Sequence, residues 1–323
     1  MVKPHQEKSS SPRWAWITVI IILAVLGLLS MLIAGVIGIF VGAGSSSSSI
    51  EKVNGVGNVA VIKVEGPIVS TSVPSFGGAR AAVSEDIVKL IEKASKDNGI
   101  KAIVLAINTP GGSAVASDEI SSALNEVKKP TVAWIKDIGT SGGYWVASST
   151  DYIVAHPASI TASIGVIGSY LEFAGFLEDY NVTYRRLVSG KYKDMGHPFK
   201  QMTEEEEMIF QQTLDDLHEL FIEHVAEGRS MPAESVRTLA TGAFMSGKKA
   251  YELGLVDQLG GQKEVKAYLQ QKLNSTVDFV QYRQPKTFFQ TLVEGFSESG
   301  FQVGRGIGSS LVEQERQPSV MLS

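Results

Sequence analysis

The 323-residue sequence contains no cysteine. That absence excludes disulfides, thiolate metal sites and a cysteine nucleophile, while leaving the redox compartment open. Positive charge is not in excess either. The formal net charge of −5 gives no electrostatic case for nucleic acid as a partner. Histidine is scarce, at five residues, and none of the spacings matches a zinc site: His218 and His224 stand six apart, without the HExxH pattern. No solenoid-type repeat is present. Charged side chains are missing altogether from one long stretch, Trp14 to Ala43, dominated by Ile, Leu, Val, Ala and Gly.

That stretch exceeds the roughly 20 apolar residues needed to span a bilayer, and also the roughly 7–15 of a secretory signal's apolar region. The small residues Gly42-Ala43-Gly44 keep a cleaved signal as the lesser reading. Lys3, Lys8 and Arg13 precede the span, and the next basic residue is Lys52. The positive-inside bias therefore places the N-terminus in the cytoplasm and the rest of the chain outside. Trp14 and Trp16 fit an interfacial belt, and Ser45–Ser49 reads as a flexible tether. The expected organisation is a cytoplasmic segment 1–13, an anchor 14–43, a linker 44–56, a main domain 57–275 and a C-terminal extension 276–323.

The main domain alternates. Strands are expected at Val59–Val64, Lys101–Ile107, Thr131–Ile135 and Tyr152–Ala155, with one helix capped by Ser84 and running to about Ala94 and another from about Ser117 to Val127. This order argues for an α/β fold with a mainly parallel sheet. Two glycine-rich loops follow successive strands, Pro110-Gly111-Gly112 and Ser141-Gly142-Gly143. Ligands bind at the carboxyl ends of such strands, where loops converge. Ser141 falls at a strand-to-helix turn beside two glycines, which makes it either a nucleophile or a helix-capping serine in a plain turn. Amides from the first loop could face the same oxyanion as the Gly142 amide, as acyl transfer requires.

A serine nucleophile needs a base at neutral pH. His5 lies on the far side of the span. His218 and His224 belong to one helix opened by Thr203 with Glu206 three residues on, a capping box, and read as surface or packing residues. His156 and His197 each precede a proline and could reach a cleft, but neither shows a carboxylate partner in sequence. Lysine is the other base. Its reference pKa near 10.4 has to be lowered by burial for it to accept a proton. Lys191 and Lys193 stand in one loop before the long helix, and residue physics does not choose between them.

The ordered motifs Asn108-Thr109-Pro110-Gly111-Gly112, Thr140-Ser141-Gly142-Gly143-Tyr144, Thr161-Ala162-Ser163-Ile164-Gly165-Val166-Ile167-Gly168 and Lys193-Asp194-Met195 resemble the short form of the signal peptide peptidase A family. So does the stretch Gly247–Gly261, with its Leu253-Gly254-Leu255-Val256-Asp257 core. These are membrane-anchored serine peptidases of the ClpP/crotonase fold. The resemblance implies Ser141 as nucleophile and Lys193 as general base, with Lys191 the weaker choice. It implies that Ser163 holds the lysine amine, and that Gly111 or Gly112 with Gly142 forms the oxyanion hole. It also implies a homo-oligomeric ring whose subunits share active-site residues, hydrophobic peptide substrates such as cleaved signal peptides, and no metal or cofactor. Two departures are mild: Trp145 follows Tyr144, and Gly196-His197 replaces small polar residues after the lysine motif, leaving His197 room for a supporting role. The alternatives are a related membrane peptidase that processes a stomatin-like membrane protein, and a catalytically inactive membrane scaffold. An acyl-CoA enzyme of the same fold would need a cytoplasmic substrate.

Beyond the core, a helix is expected from about Lys263 to Leu273 and an edge strand at Val277–Tyr282. Phe288, Phe289, Leu292, Val293 and Phe296 share one helix face, suited to packing, to the membrane or to a substrate groove as an autoinhibitor.

Overall fold

The computed structural model describes residues 51–53, 56–71 and 81–283, and in the N-terminal segment only residues 17, 21, 23 and 25–27, which are helical. Most of the expected anchor and the aromatic helix face at 288–296 lie outside the described residues. Among those described, no helix is long and apolar enough to cross a membrane. Ile50–Gln284 forms one compact unit.

The compact unit is built on one nine-stranded sheet. Its central strands are β2 (Val59–Glu65), β5 (Ala102–Thr109), β6 (Thr131–Thr140) and β7 (Tyr152–Ala155), all parallel. Their near-continuous Val/Ile/Ala runs suit strands covered on both faces. Alternate residues divide accordingly. Ile62, Ile103, Leu105, Ala133, Ile135 and Ile153 point into the larger core, whereas Val59, Val104, Val132 and Val154 face the other layer.

The larger core is closed by α1 (Ser84–Lys96), α2 (Ala114–Asn125), α3 (Gly142–Ser148) and the C-terminal half of α5 (Glu204–Arg229). The smaller is closed by Val265 and Leu269 of α8 (Gln262–Leu273). At one side of the sheet, β11 (Phe279–Arg283) pairs parallel with β2 and is itself flanked by β1 (Glu51–Val53). The expected last strand is therefore internal rather than an edge. Ser84 also departs from expectation. Val83 occupies the cap position, and the fully buried Ser84 hydroxyl donates to Glu119 of α2 at 2.5 Å.

Strand β6 changes neighbours along its length. Val132–Ile135 pair with β7, while Ile138–Thr140 pair with β8 (Ile160–Ala162), which continues antiparallel to β9 (Phe244–Ser246). The expected strand thus runs five residues further than its apolar stretch and delivers its carboxyl end directly to Ser141.

Helix α5 opens with the expected capping box, Thr203 Oγ1 accepting from Glu206 N–H and Glu206 accepting from Thr203 N–H. Its 26 residues reach about 39 Å at 1.5 Å per residue. Phe221, Ile222 and Val225 are buried against the core, whereas Met208, Leu217 and Leu220 are exposed. The segment preceding it is also largely exposed, including short helix α4 (Ala174–Asp179) and the apolar residues Ile167, Leu171, Phe176 and Leu187.

Candidate active site

Ser141 joins β6 to α3 with φ 52° and ψ −124°, a conformation that costs a non-glycine residue about 1–3 kcal/mol. It is held there from both sides. Its N–H donates to Ala162 O at 2.8 Å, and its carbonyl accepts from the Tyr144 and Trp145 N–H groups at 2.8 and 2.9 Å. The turn therefore stays sharp, and Ser141 is only partly buried while residues 142–148 behind it are buried. A strained serine on a strand-to-helix turn is the geometry that exposes a nucleophilic hydroxyl.

The 110–112 loop packs on this turn. A Cβ on Gly111 would lie 2.7 Å from Gly142 N and 2.8 Å from Ser141 Cβ. Thr140 Oγ1 donates to Pro110 O at 3.1 Å, tying the two loops together. On the far side, Ile68 N–H donates to Gly111 O and Ser113 N–H donates to Ile68 O, both at 2.9 Å. In such a parallel bridge the intervening residue turns its own N–H and C=O away, so the Gly112 amide faces Gly142. A Cβ placed on Gly142 would stand 3.3 Å from Gly112 N.

Neither the Gly112 nor the Gly142 N–H has a hydrogen-bond acceptor among the described residues. The Gly111 N–H, by contrast, donates to the buried Thr109 Oγ1 at 3.0 Å. Of the two loop glycines read from the sequence as oxyanion donors, Gly112 has the open amide and Gly111 supplies the space. Thr109, Thr140 and Asn108, which sequence reasoning passed over as site residues, stand within the quoted Asn-Thr-Pro-Gly-Gly and Thr-Ser-Gly-Gly runs.

Ser163 lies next to Ala162, the residue whose carbonyl holds Ser141, and both have positive φ, 53° and 63°. Its hydroxyl donates to Gly242 O at 3.0 Å rather than to a lysine. Lys193 sits elsewhere, in a turn on the exposed segment, its N–H donating to Gly190 O at 3.2 Å. Its side chain is exposed and shares no hydrogen bond or ion pair with Ser141 or Ser163 among the described residues. Lys191 is already committed: Nζ is paired with Glu205 and lies 4.9 Å from the Tyr192 ring centroid. The hydrogen bond with Glu205 raises its pKa, the wrong direction for a base.

Next to Lys193, the Asp194 side chain is buried, with 7% exposure. Arg186 donates to both its oxygens, and Lys200 lies 3.7 Å away. The Arg186 hydrogen bond holds the Asp194 carboxyl down to about 2. Lys200 in turn donates to both oxygens of Glu206, at 2.6 and 2.7 Å. The turn carrying Lys193 is thereby tied to the first turn of α5.

The described histidines assemble no triad. His156 Nδ1 accepts from Ala158 N–H, and His197 stacks on Tyr184 with Nδ1 accepting from Phe199 N–H. His224 packs, as expected: its ring stacks on Trp145 at 4.4 Å, and Nε2 lies 3.0 Å from both Trp145 O and Ser149 Oγ. Burial lowers its pKa.

A peptidase family S49 profile matches residues 123–276, the stretch that holds Ser141, Ser163 and Lys193. The chain is 32% identical over 234 residues to a Methanocaldococcus jannaschii protein provisionally named a protease, covering 71% of this chain and 74% of that one. The chain belongs to peptidase family S49. An Enterococcus faecium protein provisionally named signal peptide peptidase SppA is 32% identical over 241 residues, 73% of this chain and 70% of the relative. Protease 4 of Haemophilus influenzae is 30% identical over 232 residues, but those make up only 37% of its length. These S49 relatives support the signal peptide peptidase A family of serine peptidases. A solved structure of a membrane-bound stomatin-specific protease variant matches 66% of the chain with a TM-score of 0.43 at 16% identity.

Proposed function

We propose that this S49 chain is a Ser-Lys endopeptidase of hydrophobic peptides, such as cleaved signal peptides, built on a ClpP/crotonase-like core. The observation that carries the proposal is the strained Ser141 turn with the two open amides of Gly112 and Gly142 beside it. Ser141 Oγ attacks the scissile carbonyl, and the two N–H groups receive the charge that develops on its oxygen. A neutral lysine amine takes the serine proton and returns it to the leaving amine, and water then releases the acyl-enzyme.

Lys193 is the lysine proposed for this role, because Lys191 is held protonated by Glu205. Its place on the exposed segment fits a base delivered to Ser141 of a neighbouring copy, in a homo-oligomeric ring. Exposed apolar residues such as Ile167, Leu171 and Leu187, at 86%, 72% and 96% exposure, would then be covered by that copy. Ser163, close to Ser141, would meet the incoming amine. The apolar 14–43 stretch would anchor the assembly in the cytoplasmic membrane with the peptidase outside. No metal or cofactor enters the proposed chemistry.

The test is hydrolysis of apolar fluorogenic peptides by the full chain in detergent. Ser141→Ala and Lys193→Ala each abolish turnover, whereas Lys191→Ala and His197→Ala retain it. Mixing the two inactive variants under subunit exchange restores part of the activity if the base acts between copies. Activity that survives Ser141→Ala contradicts the mechanism. A Lys193→Ala enzyme with full activity reassigns the base.

A further inference from the structure

The sheet register changes just ahead of the nucleophile. Between β5 and β6, Ile107 pairs with Ile135 and Thr109 with Gly139, so two steps along β5 correspond to four along β6. The two additional residues form a bulge where β6 leaves β7 for β8. Without that insertion, Ser141 would not stand level with the 110–112 loop.

A bulge leaves backbone groups outside the ladder, and those must find partners elsewhere. Here three of them are met by side chains. The buried Ser159 hydroxyl donates to Lys136 O, and the buried Thr161 hydroxyl donates to Gly139 O at 2.8 Å. A donor, Ile138 N–H, is received by the side-chain oxygen of Asn108 at 3.1 Å. The other end of the Asn108 carboxamide donates to Asp137 Oδ2 at 3.3 Å. Asn108 thus grips two consecutive bulge residues of β6. Its own backbone is fixed in turn, since its carbonyl accepts from Gly66 N–H at 3.1 Å. It also immediately precedes Thr109-Pro110-Gly111-Gly112. One side chain therefore connects the strand that carries Ser141 to the strand that carries the Gly112 amide.

We propose that Asn108 is a positioning residue for the Ser141 reaction, its carboxamide setting the β6 bulge and so the register of Ser141 and the Gly142 N–H against the Gly112 N–H. The inference rests on the serine peptidase reading and adds to it the device that aligns the two halves of the oxyanion site. Alignment of this kind matters most in the transition state, so its loss lowers kcat more than it raises KM.

The test uses four variants of the full chain in detergent: Asn108→Ala, Asn108→Asp, the interchange pair Asn108→Asp with Asp137→Asn, and Ser141→Ala. Asn108→Ala is expected to lower kcat about 10- to 100-fold with KM within about twofold, in line with the effect of displacing a reacting group by about 1 Å. Its Ile138 amide is expected to exchange hydrogen faster. Asn108→Asp keeps the acceptor for Ile138 but sets two carboxylates face to face, and is similarly impaired at neutral pH. The interchange pair restores one carboxylate and one carboxamide with their polarity reversed, and recovers kcat to within about threefold of the natural chain. Wild-type kcat in Asn108→Ala, or an interchange pair no better than Asn108→Asp, overturns the role. If Ser141→Ala retains turnover, the serine reading fails first. If Ser141→Ala is dead while Asn108→Ala is unimpaired, only the positioning role fails.

Discussion

Gly111 and Ser141 approach so closely that a Cβ on Gly111 would lie 2.8 Å from the Cβ of Ser141. Gly111 also has φ +97°, which strains any residue with a side chain. The 110–112 loop can seat the Gly112 amide next to Ser141 only because the residue between them has no side chain. Gly111→Ala is therefore expected to lower peptide turnover at least about 100-fold, because the turn must shift to relieve the clash. It should also cost about 1–3 kcal/mol of stability. Turnover and thermal unfolding measured on the same preparation check both.

Gly142 is confined by one specific atom. A Cβ there would collide with the buried Ser117 hydroxyl oxygen, while its next neighbours, Gly112 N and Ser117 Cβ, stand at 3.3 and 3.5 Å. Gly142→Ala is expected to impair folding and turnover, and Ser117→Ala in the same chain to relieve much of the damage. A double-mutant cycle in denaturant should give a coupling energy above about 1 kcal/mol, the range found for residues in direct contact. Simple additivity would show that the Ser117 hydroxyl is not what confines Gly142.

The Arg186–Asp194 pair should make the lysine turn acid-sensitive only at low pH. The folded Asp194 carboxyl sits at about 2 against an ordinary value of 3.8. A depressed carboxylate contributes its stability above the unfolded value and loses it as pH falls through the folded one. The window is thus about pH 4 down to about pH 2. The hydrogen-exchange protection factors of the Lys193, Met195 and His197 amides, whose acceptors lie within the same turn, are expected to hold at pH 5 and to fall below pH 4. Asp194→Asn should show low protection at neutral pH as well.

His224 titrates with the opposite chemistry but a related outcome. Burial against Trp145 disfavours its charged form and lowers its pKa. The unfolded chain then binds more protons below its ordinary value of 6.5, and stability falls as pH drops through that value. His224→Phe keeps an aromatic ring against Trp145 but cannot protonate. The stability advantage of the natural chain over this variant should shrink between pH 7 and pH 5, as chemical denaturation at each pH would show. A constant difference would mean that His224 does not protonate on unfolding.

Much of the fold was legible because it is local. The apolar runs at 59–64, 101–107 and 152–155 became strands, and Thr203 with Glu206 became the capping box that starts α5. The Ser141 turn was legible too, from glycines following a strand. The rest depended on residues distant in sequence. The extension of β6 through Lys136 and Asp137 relies on Ser159, Thr161 and Asn108 to satisfy its bulge. The open amide at Gly112 rather than Gly111 reflects the approach of Ile68 on one side and the Thr109 hydroxyl on the other. Ser84, expected to cap its helix, instead meets Glu119 on a neighbouring helix. The separation of Lys191 from Lys193 needed Glu205, which lies 14 residues further along the chain from Lys191.

In the proposed mechanism the Ser141 hydroxyl forms the acyl-enzyme. The most direct measurement is intact-mass and peptide-mapping mass spectrometry of the full chain after reaction with a serine-directed fluorophosphonate, with and without a competing apolar peptide. One adduct per chain is expected, located on Ser141, slowed by the peptide and absent from Ser141→Ala. An adduct on any other serine, or equal labelling of Ser141→Ala, would contradict it.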